Sequence, residues 1–253
     1  MKLNLSSVVT NFDTHVVKNL TACICLYVLS SMLQPLFAQE ENALSTEIGV
    51  SAIFTSGNTE DENIKFNIGL EWIHDEWKYG FTMDGFRSSQ EGDLSAQRLY
   101  NVATVTLDMT DNNFIITQAS YEDDRFSGYD NQTQISVNYG QSLLMGRENM
   151  SLTYNIGLGM RSSRSEEEDF REGILRAEGN YSWKVSENVT FTQELSVDGG
   201  NESTIVRSSS TIETAIVGDL SMKFSIDIKF QSEVPSGREK TDTITALSLI
   251  YRF

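Results

Sequence analysis

The sequence predicts an all-β chain: a transmembrane antiparallel up-and-down β-barrel of about 12 strands. Three observations lead there. First, Leu220, Met222, Phe224, Ile226, Ile228 and Phe230 alternate with Ser221, Lys223, Ser225, Asp227 and Lys229. Successive strand residues point to opposite faces, so this segment has one apolar and one polar face, which no helix could sort at about 100° per residue. Second, the alternation runs to the last residue, through Leu247, Leu249, Tyr251 and Phe253. Third, no later stretch is apolar for the roughly 20 residues that a membrane helix needs.

Residues 1–38 read as a signal peptide. Lys2 and Lys18 supply positive charge, residues 20–33 an apolar run, and Leu36-Phe37-Ala38 a cleavage site before Gln39. Residues 39–253 are then the barrel. Leu20-Thr21-Ala22-Cys23 resembles a lipidation site, but the apolar run follows Cys23 instead of preceding it. Both cysteines, Cys23 and Cys25, fall within the leader, so the barrel carries no disulfide and no thiolate metal site. Of the two prolines only Pro235 follows the leader, in keeping with a chain of ladders that need every N–H.

Twelve strands are predicted: 44–55, 62–73, 76–87, 96–109, 113–123, 131–141, 149–160, 170–183, 188–197, 203–216, 219–231 and 241–253. The second carries Ile64, Phe66, Ile68, Leu70 and Trp72 on one face. The seventh carries Met150, Leu152, Tyr154, Ile156, Leu158 and Met160. The fifth is indistinct and the tenth is rich in Ser and Thr. Connections after even strands read as tight turns (74–76, 110–112, 143–148, 186–187, 218–219). Those after odd strands read as mostly longer, charged loops (88–95, 124–130, 162–169, 198–202, 234–240). Outer-membrane barrels have this asymmetry, with short turns inside and longer loops outside. An even strand count puts both termini on the periplasmic side. Trp72, Trp77, Tyr79, Trp183, Tyr251 and Phe253 sit at segment ends, where an aromatic girdle would lie.

The net charge is −17. Without residues 1–38, which hold two lysines and one aspartate, it becomes −18. Such a surface excludes nucleic acid as a partner, since phosphates call for Lys and Arg. It also disfavours peripheral docking on anionic lipid. Charges on the polar parity face the lumen: Glu47, Lys65, Glu71, Lys78, Asp84, Arg98, Asp108, Arg176, Glu178, Glu194, Glu213, Lys223, Asp227, Lys229 and Arg252. Both signs occur, and buried charges need partners or water. Leu247, Leu249, Tyr251 and Phe253 form the terminal strand pattern expected to serve as an assembly signal.

Phe54-Thr55-Ser56-Gly57-Asn58-Thr59, residues 121–130 (Tyr121-Glu122-Asp123-Asp124 through Tyr129-Asp130) and Pro235-Ser236-Gly237-Arg238 through Thr243 carry a resemblance. Over residues 44–253 the chain resembles the family of salt-induced outer-membrane proteins of Gram-negative bacteria, a domain of unknown function. The resemblance implies an outer-membrane barrel and location, and supplies no activity or site residues.

Catalytic chemistry finds little support. His74 is the one histidine after the leader, in a turn on the periplasmic side beside Asp75, away from the outer rim where a barrel phospholipase or protease would work. Glu166-Glu167-Glu168-Asp169 with Arg161, Arg164 and Arg171 forms a loop charge patch that could meet lipopolysaccharide or simply be solvated. Asp123-Asp124-Arg125 with Asp130 lacks the ligand ladder of a calcium loop. The expectation is a monomeric, cofactor-free, non-enzymatic barrel. Its partners would be outer-membrane lipid, lipopolysaccharide and the barrel assembly machinery. Its role would be a structural or stress-related envelope component with a charged, largely closed lumen. The alternatives are a narrow passive channel and, last, an outer-membrane enzyme.

Overall fold

A computed structural model describes residues 42–253 apart from 56–60, 91–92, 125–128, 145–146, 166–168 and 236. The leader assigned to residues 1–38 lies outside the described residues.

Twelve antiparallel strands close into one barrel in simple neighbour order, with the first strand paired to the last. They are β1 (Asn42–Thr55), β2 (Asp61–His74), β3 (Trp77–Gln90), β4 (Asp93–Asp108), β5 (Asn113–Asp124) and β6 (Tyr129–Leu143). There follow β7 (Met150–Arg164), β8 (Asp169–Lys184), β9 (Val189–Gly200), β10 (Thr204–Val217), β11 (Leu220–Gln231) and β12 (Thr241–Arg252). Among the described residues no helix is long and apolar enough to cross a membrane.

The alternation behaves as the sequence predicts. On β7, Ile156, Leu158 and Met160 are exposed on the outside, while Asn155, Arg161 and Ser163 are buried within. The fifth and tenth strands, indistinct in sequence, form complete ladders with both neighbours. Each lies between two regular partners, so weak alternation in one strand is overridden.

One expectation needs correction. Several strands run further toward the loop rim than their apolar alternation does: β3 continues through Ser88-Ser89-Gln90, β4 begins at Asp93, and β7 reaches Arg164. The loops after odd strands shrink to 91–92, 125–128, 165–168 and 201–203, while the last lengthens to 232–240. Length asymmetry therefore rests mainly on the last. Beyond the apolar band both faces meet water, so the period-2 signal vanishes while the ladder hydrogen bonds persist.

Aromatic rings collect at the terminal rim, the end holding β1's start and β12's finish. Trp72 stacks on Tyr79 at 5.1 Å between ring centres, and Tyr251 lies 5.9 Å from Phe253.

Candidate functional site: the charged lumen

Inward-facing side chains form two tiers. The tier toward the loop rim is built around two carboxylates. Glu122 on β5 meets Arg98 Nε of β4 at 2.6 Å, Arg207 Nη2 of β10 at 2.8 Å and Lys229 Nζ of β11 at 3.0 Å. In the ring, β11 lies six strands from β5, so the Lys229 contact spans the full width of the lumen. Lys229 also lies 3.7 Å from Asp124. Asp198 on β9 meets Arg176 of β8 at 2.7 Å and Arg207 at 3.3 Å, and accepts a hydrogen bond from Gln134 of β6 at 2.9 Å. Tyr100 lies 5.4 Å from the Arg98 guanidinium and 5.1 Å from that of Arg207, within cation–π range of both.

A satellite pair seals one flank. Arg161 of β7 meets Glu172 of β8 at 2.5 Å and also donates to the carbonyl of Ser203, in the β9–β10 connection. Glu172 in turn accepts the Glu202 backbone N–H at 2.7 Å. Exposure is 2% at Glu122, 0% at Asp198, 1% at Arg161 and 4% at Lys229. These values decide the character of the tier: an ionic plug in which Glu122, Asp198, Arg161 and Lys229 are shut off from water. Charges so far from water persist only because each finds opposite charge.

The second tier, nearer the terminal rim, is looser. Lys65 of β2 meets Asp227 of β11 at 2.5 Å, and Ser209 and Ser225 donate to the same carboxylate. Glu47 of β1 meets Lys223 at 3.3 Å and Arg252 at 2.7 Å, and Arg252 also pairs with Glu213. Arg176 connects the tiers by donating to Glu178 at 2.5 Å. Glu194 lies within electrostatic reach of Glu178, Lys223, Asp227 and Asp84. At the mouth, Lys78 meets Asp108 at 2.7 Å beside a recess of about 360 Å³ lined by Thr110, Asn112 and Phe114, and Glu71 is exposed.

The structure thus brings Arg98, Arg176 and Lys229 into the plug. It gathers Glu47, Lys65, Asp84, Glu178, Glu194, Lys223, Asp227 and Arg252 in or near the looser tier, and leaves Glu71, Lys78 and Asp108 at the mouth. Leu247, Leu249, Tyr251 and Phe253 are exposed on the outer face, and Phe253 exchanges two backbone hydrogen bonds with Thr46.

Sequence reasoning missed the keystones. Glu122, Asp198, Arg207 and Glu172 were not among the candidates, and Arg161 was assigned to a loop patch. Parity held the signal: Glu122 continues the set Gln118, Ser120, and Arg207 the set Ser209, Thr211. The patch itself divides, since Arg161 is buried in the lumen while Arg164 meets Asp169 at 3.2 Å in the open. Residues 166–168 lie outside the described residues. The calcium grouping also fails: Asp124 faces the plug, and its strand neighbour Asp123 faces the opposite side. His74 lies in the open with Asp75 at 3.7 Å.

Residues 47–253 match the family model described as "Protein of unknown function, DUF481". The chain belongs to that family. It is also 27% identical over 198 residues to "Uncharacterized protein YdiY" of Escherichia coli K12, covering 78% of each chain. Among solved structures it is similar to an outer membrane channel from Pseudomonas putida F1. That match has a TM-score of 0.51 and 12% identity, and covers 87% of this chain and all of the other. The NanC porin is a more distant likeness, with a TM-score of 0.49 and 9% identity, covering 83% and 98%. At such identities the likeness establishes the fold, that of outer-membrane β-barrels. The salt-induced label implied by the sequence resemblance is not part of the family's description.

Proposed function

We propose that this DUF481 protein is a bacterial outer-membrane barrel, closed along its axis, that serves the envelope as a structural component. Its termini face the periplasm, its apolar band meets lipid and lipopolysaccharide, and it works as a monomer without catalytic groups. The observation that carries this reading is Glu122, held by three cations from β4, β10 and β11 at a level where the lumen is filled. Eight-stranded barrels fill with side chains and barrels of about 16 strands hold open water. Twelve strands allow either outcome, and here ion pairs occupy the space.

Planar-bilayer recording tests it. The purified barrel should show no steady openings, and Glu122→Ala should introduce them. Steady openings of the unaltered protein would instead favour a narrow passive channel. That second reading draws on Glu194, which is exposed within the looser tier.

A further inference from the structure

One seam of the barrel is built unlike the rest. The β1–β12 ladder holds four residue pairs, from Glu47–Arg252 to Val50–Leu249, continued toward the terminal rim by Thr46 and Phe253. By contrast β1 pairs with β2 over its whole length, from Asn42–His74 to Thr55–Asp61, and β12 pairs with β11 from Thr241–Phe230 to Tyr251–Leu220. Among the described residues, Ser51–Thr55 of β1 and Thr241–Ser248 of β12 thus have a ladder partner on one side alone. Unpaired backbone facing a bilayer is costly, so some other interaction must hold the seam there.

Lys65 and Asp227 supply it. In the ring they flank the seam, on β2 and β11, with β1 and β12 between them. Their 2.5 Å ion pair therefore crosses the inner side of the seam. The inward residues it crosses are small and buried: Gly49, Ser51, Ala246 and Ser248. Small side chains leave room for the bridge to pass. Ser209, opposite Asp227 in register, and Ser225 donate hydrogen bonds that fix its carboxylate. The plug gives no help at this point, since its ion pairs come from β4, β5 and β7 to β11.

The inner face of β12 also carries Ile244, Ala246 and Ile250 at inward positions. A wall that is apolar on both faces, beside an unladdered seam, suits a hydrocarbon chain. We propose that the β1–β12 seam is a lateral gate that admits the acyl chain of a membrane lipid into the barrel wall, and that Lys65–Asp227 is its latch. The gate hinges at the terminal rim, where Glu47 pairs with Arg252 and the short ladder persists. This rests on the membrane placement proposed above and adds a side entrance to a barrel closed along its axis.

Spin labels test it in vesicles of phosphatidylethanolamine and phosphatidylglycerol. Cys23→Ser and Cys25→Ser remove the native thiols, and one new cysteine is introduced: Ile244→Cys inside the seam, Leu247→Cys on the lipid face, or Thr104→Cys on the inner face of β4. Collision with oxygen reports hydrocarbon, and collision with a nickel complex reports water. With the latch intact, the label at 244 should meet little of either. Lys65→Ala should raise its oxygen collision severalfold, toward the value at 247, without a matching rise for nickel. Lys65→Arg should not. Asp227→Asn is the second unlatching variant, and heat-modifiable migration confirms folding. No oxygen rise at 244, a nickel rise in its place, or an equal oxygen rise at 104 would each overturn the proposal. Conductance separates the two readings. Openings of the unaltered protein would end the closed-axis reading and leave the seam result standing. Openings created by Lys65→Ala would mean that the gate leads to water and not to lipid.

Discussion

The wall from β4 to β11 and the wall from β12 to β3 are held together in different ways. The first is tied across its own lumen: Glu122 and Asp198 gather cations from β4, β8, β10 and β11, and both carboxylates are buried. The second has its short ladder, the Glu47–Arg252–Glu213 group and two bridges from β11, Lys223–Glu47 and Asp227–Lys65. The ladders differ as well, with four residue pairs joining β1 to β12 and eleven or more at each seam from β4 to β11. The difference shows that in a barrel of this width the lumen charges decide which seams are rigid, because a buried ion pair is little screened while an exposed one is weakened by water and salt.

The largest expected effect follows from breaking the braced wall. Glu122→Ala leaves three cations facing one another without their shared carboxylate. Removing one member of a buried pair costs about 3–5 kcal/mol. Urea unfolding of the barrel in vesicles should show a loss of that order, together with new conductance. If stability falls by less than about 1 kcal/mol, the plug does not brace the wall and the comparison fails.

A smaller effect tests crowding on the two sides. Gly157 on β7 sits so close to β6 that an added Cβ would lie 2.1 Å from the Val137 carbonyl oxygen, a backbone atom that cannot swing aside. Gly69 on β2 has room, the nearest atom to its added Cβ being Glu47 Cβ at 3.6 Å. Gly157→Ala should cost about 1–3 kcal/mol through strand displacement, and Gly69→Ala should be tolerated. Equal urea midpoints for the two variants would show that the close approach of β7 to β6 at Gly157 costs nothing.

The terminal residue probes the weaker wall. Phe253 gives and accepts backbone hydrogen bonds with Thr46 at 3.0 and 2.9 Å, extending the short ladder by one pair. Two such bonds are worth about 1–3 kcal/mol together. Deleting Phe253 should therefore lower the amount of heat-modifiable protein in the outer membrane and shift the unfolding midpoint. Unchanged levels would mean that the seam does not depend on its last pair and that the terminal aromatic is no assembly signal.

Sequence periodicity carried the barrel as far as the apolar band extends. Lipid outside and polar groups inside impose alternation, so β2, β7 and β11 were plain, and so was the inward set from Glu47 to Arg252. The signal faded where its cause fades. At the loop rim both faces are wet, and the strand ends at Ser88-Ser89-Gln90 and Ser162-Ser163-Arg164 read as loops. There the keystones were lost: Asp198 opens the segment 198–202 that reads as a loop, Glu122 stands beside another, and Arg161 groups with a third. Pairing between distant strands leaves no trace in local spacing either. Nothing in the sequence couples Glu122 to Lys229, or Lys65 to Asp227 across 162 residues. That information lies in the closure of the ring.

The smallest effect belongs to the ion pair that looks most like the plug and lies outside it. Arg164 and Asp169 face each other in register on β7 and β8 with Nε 3.2 Å from Oδ2, a geometry similar to Arg207–Asp198 at 3.3 Å. Their side chains are 64% and 60% exposed, whereas Asp198 is fully buried. Water already solvates both charges, so pairing adds little and removal strands nothing: about 0–1 kcal/mol, and less in high salt. Arg164→Ala should leave the urea midpoint almost unchanged. Arg207→Ala, which removes partners from both Glu122 and Asp198, should lower it clearly. A large loss from Arg164→Ala would mean that distance, not dehydration, sets the strength of these bridges. The rigid and yielding walls would then need another cause.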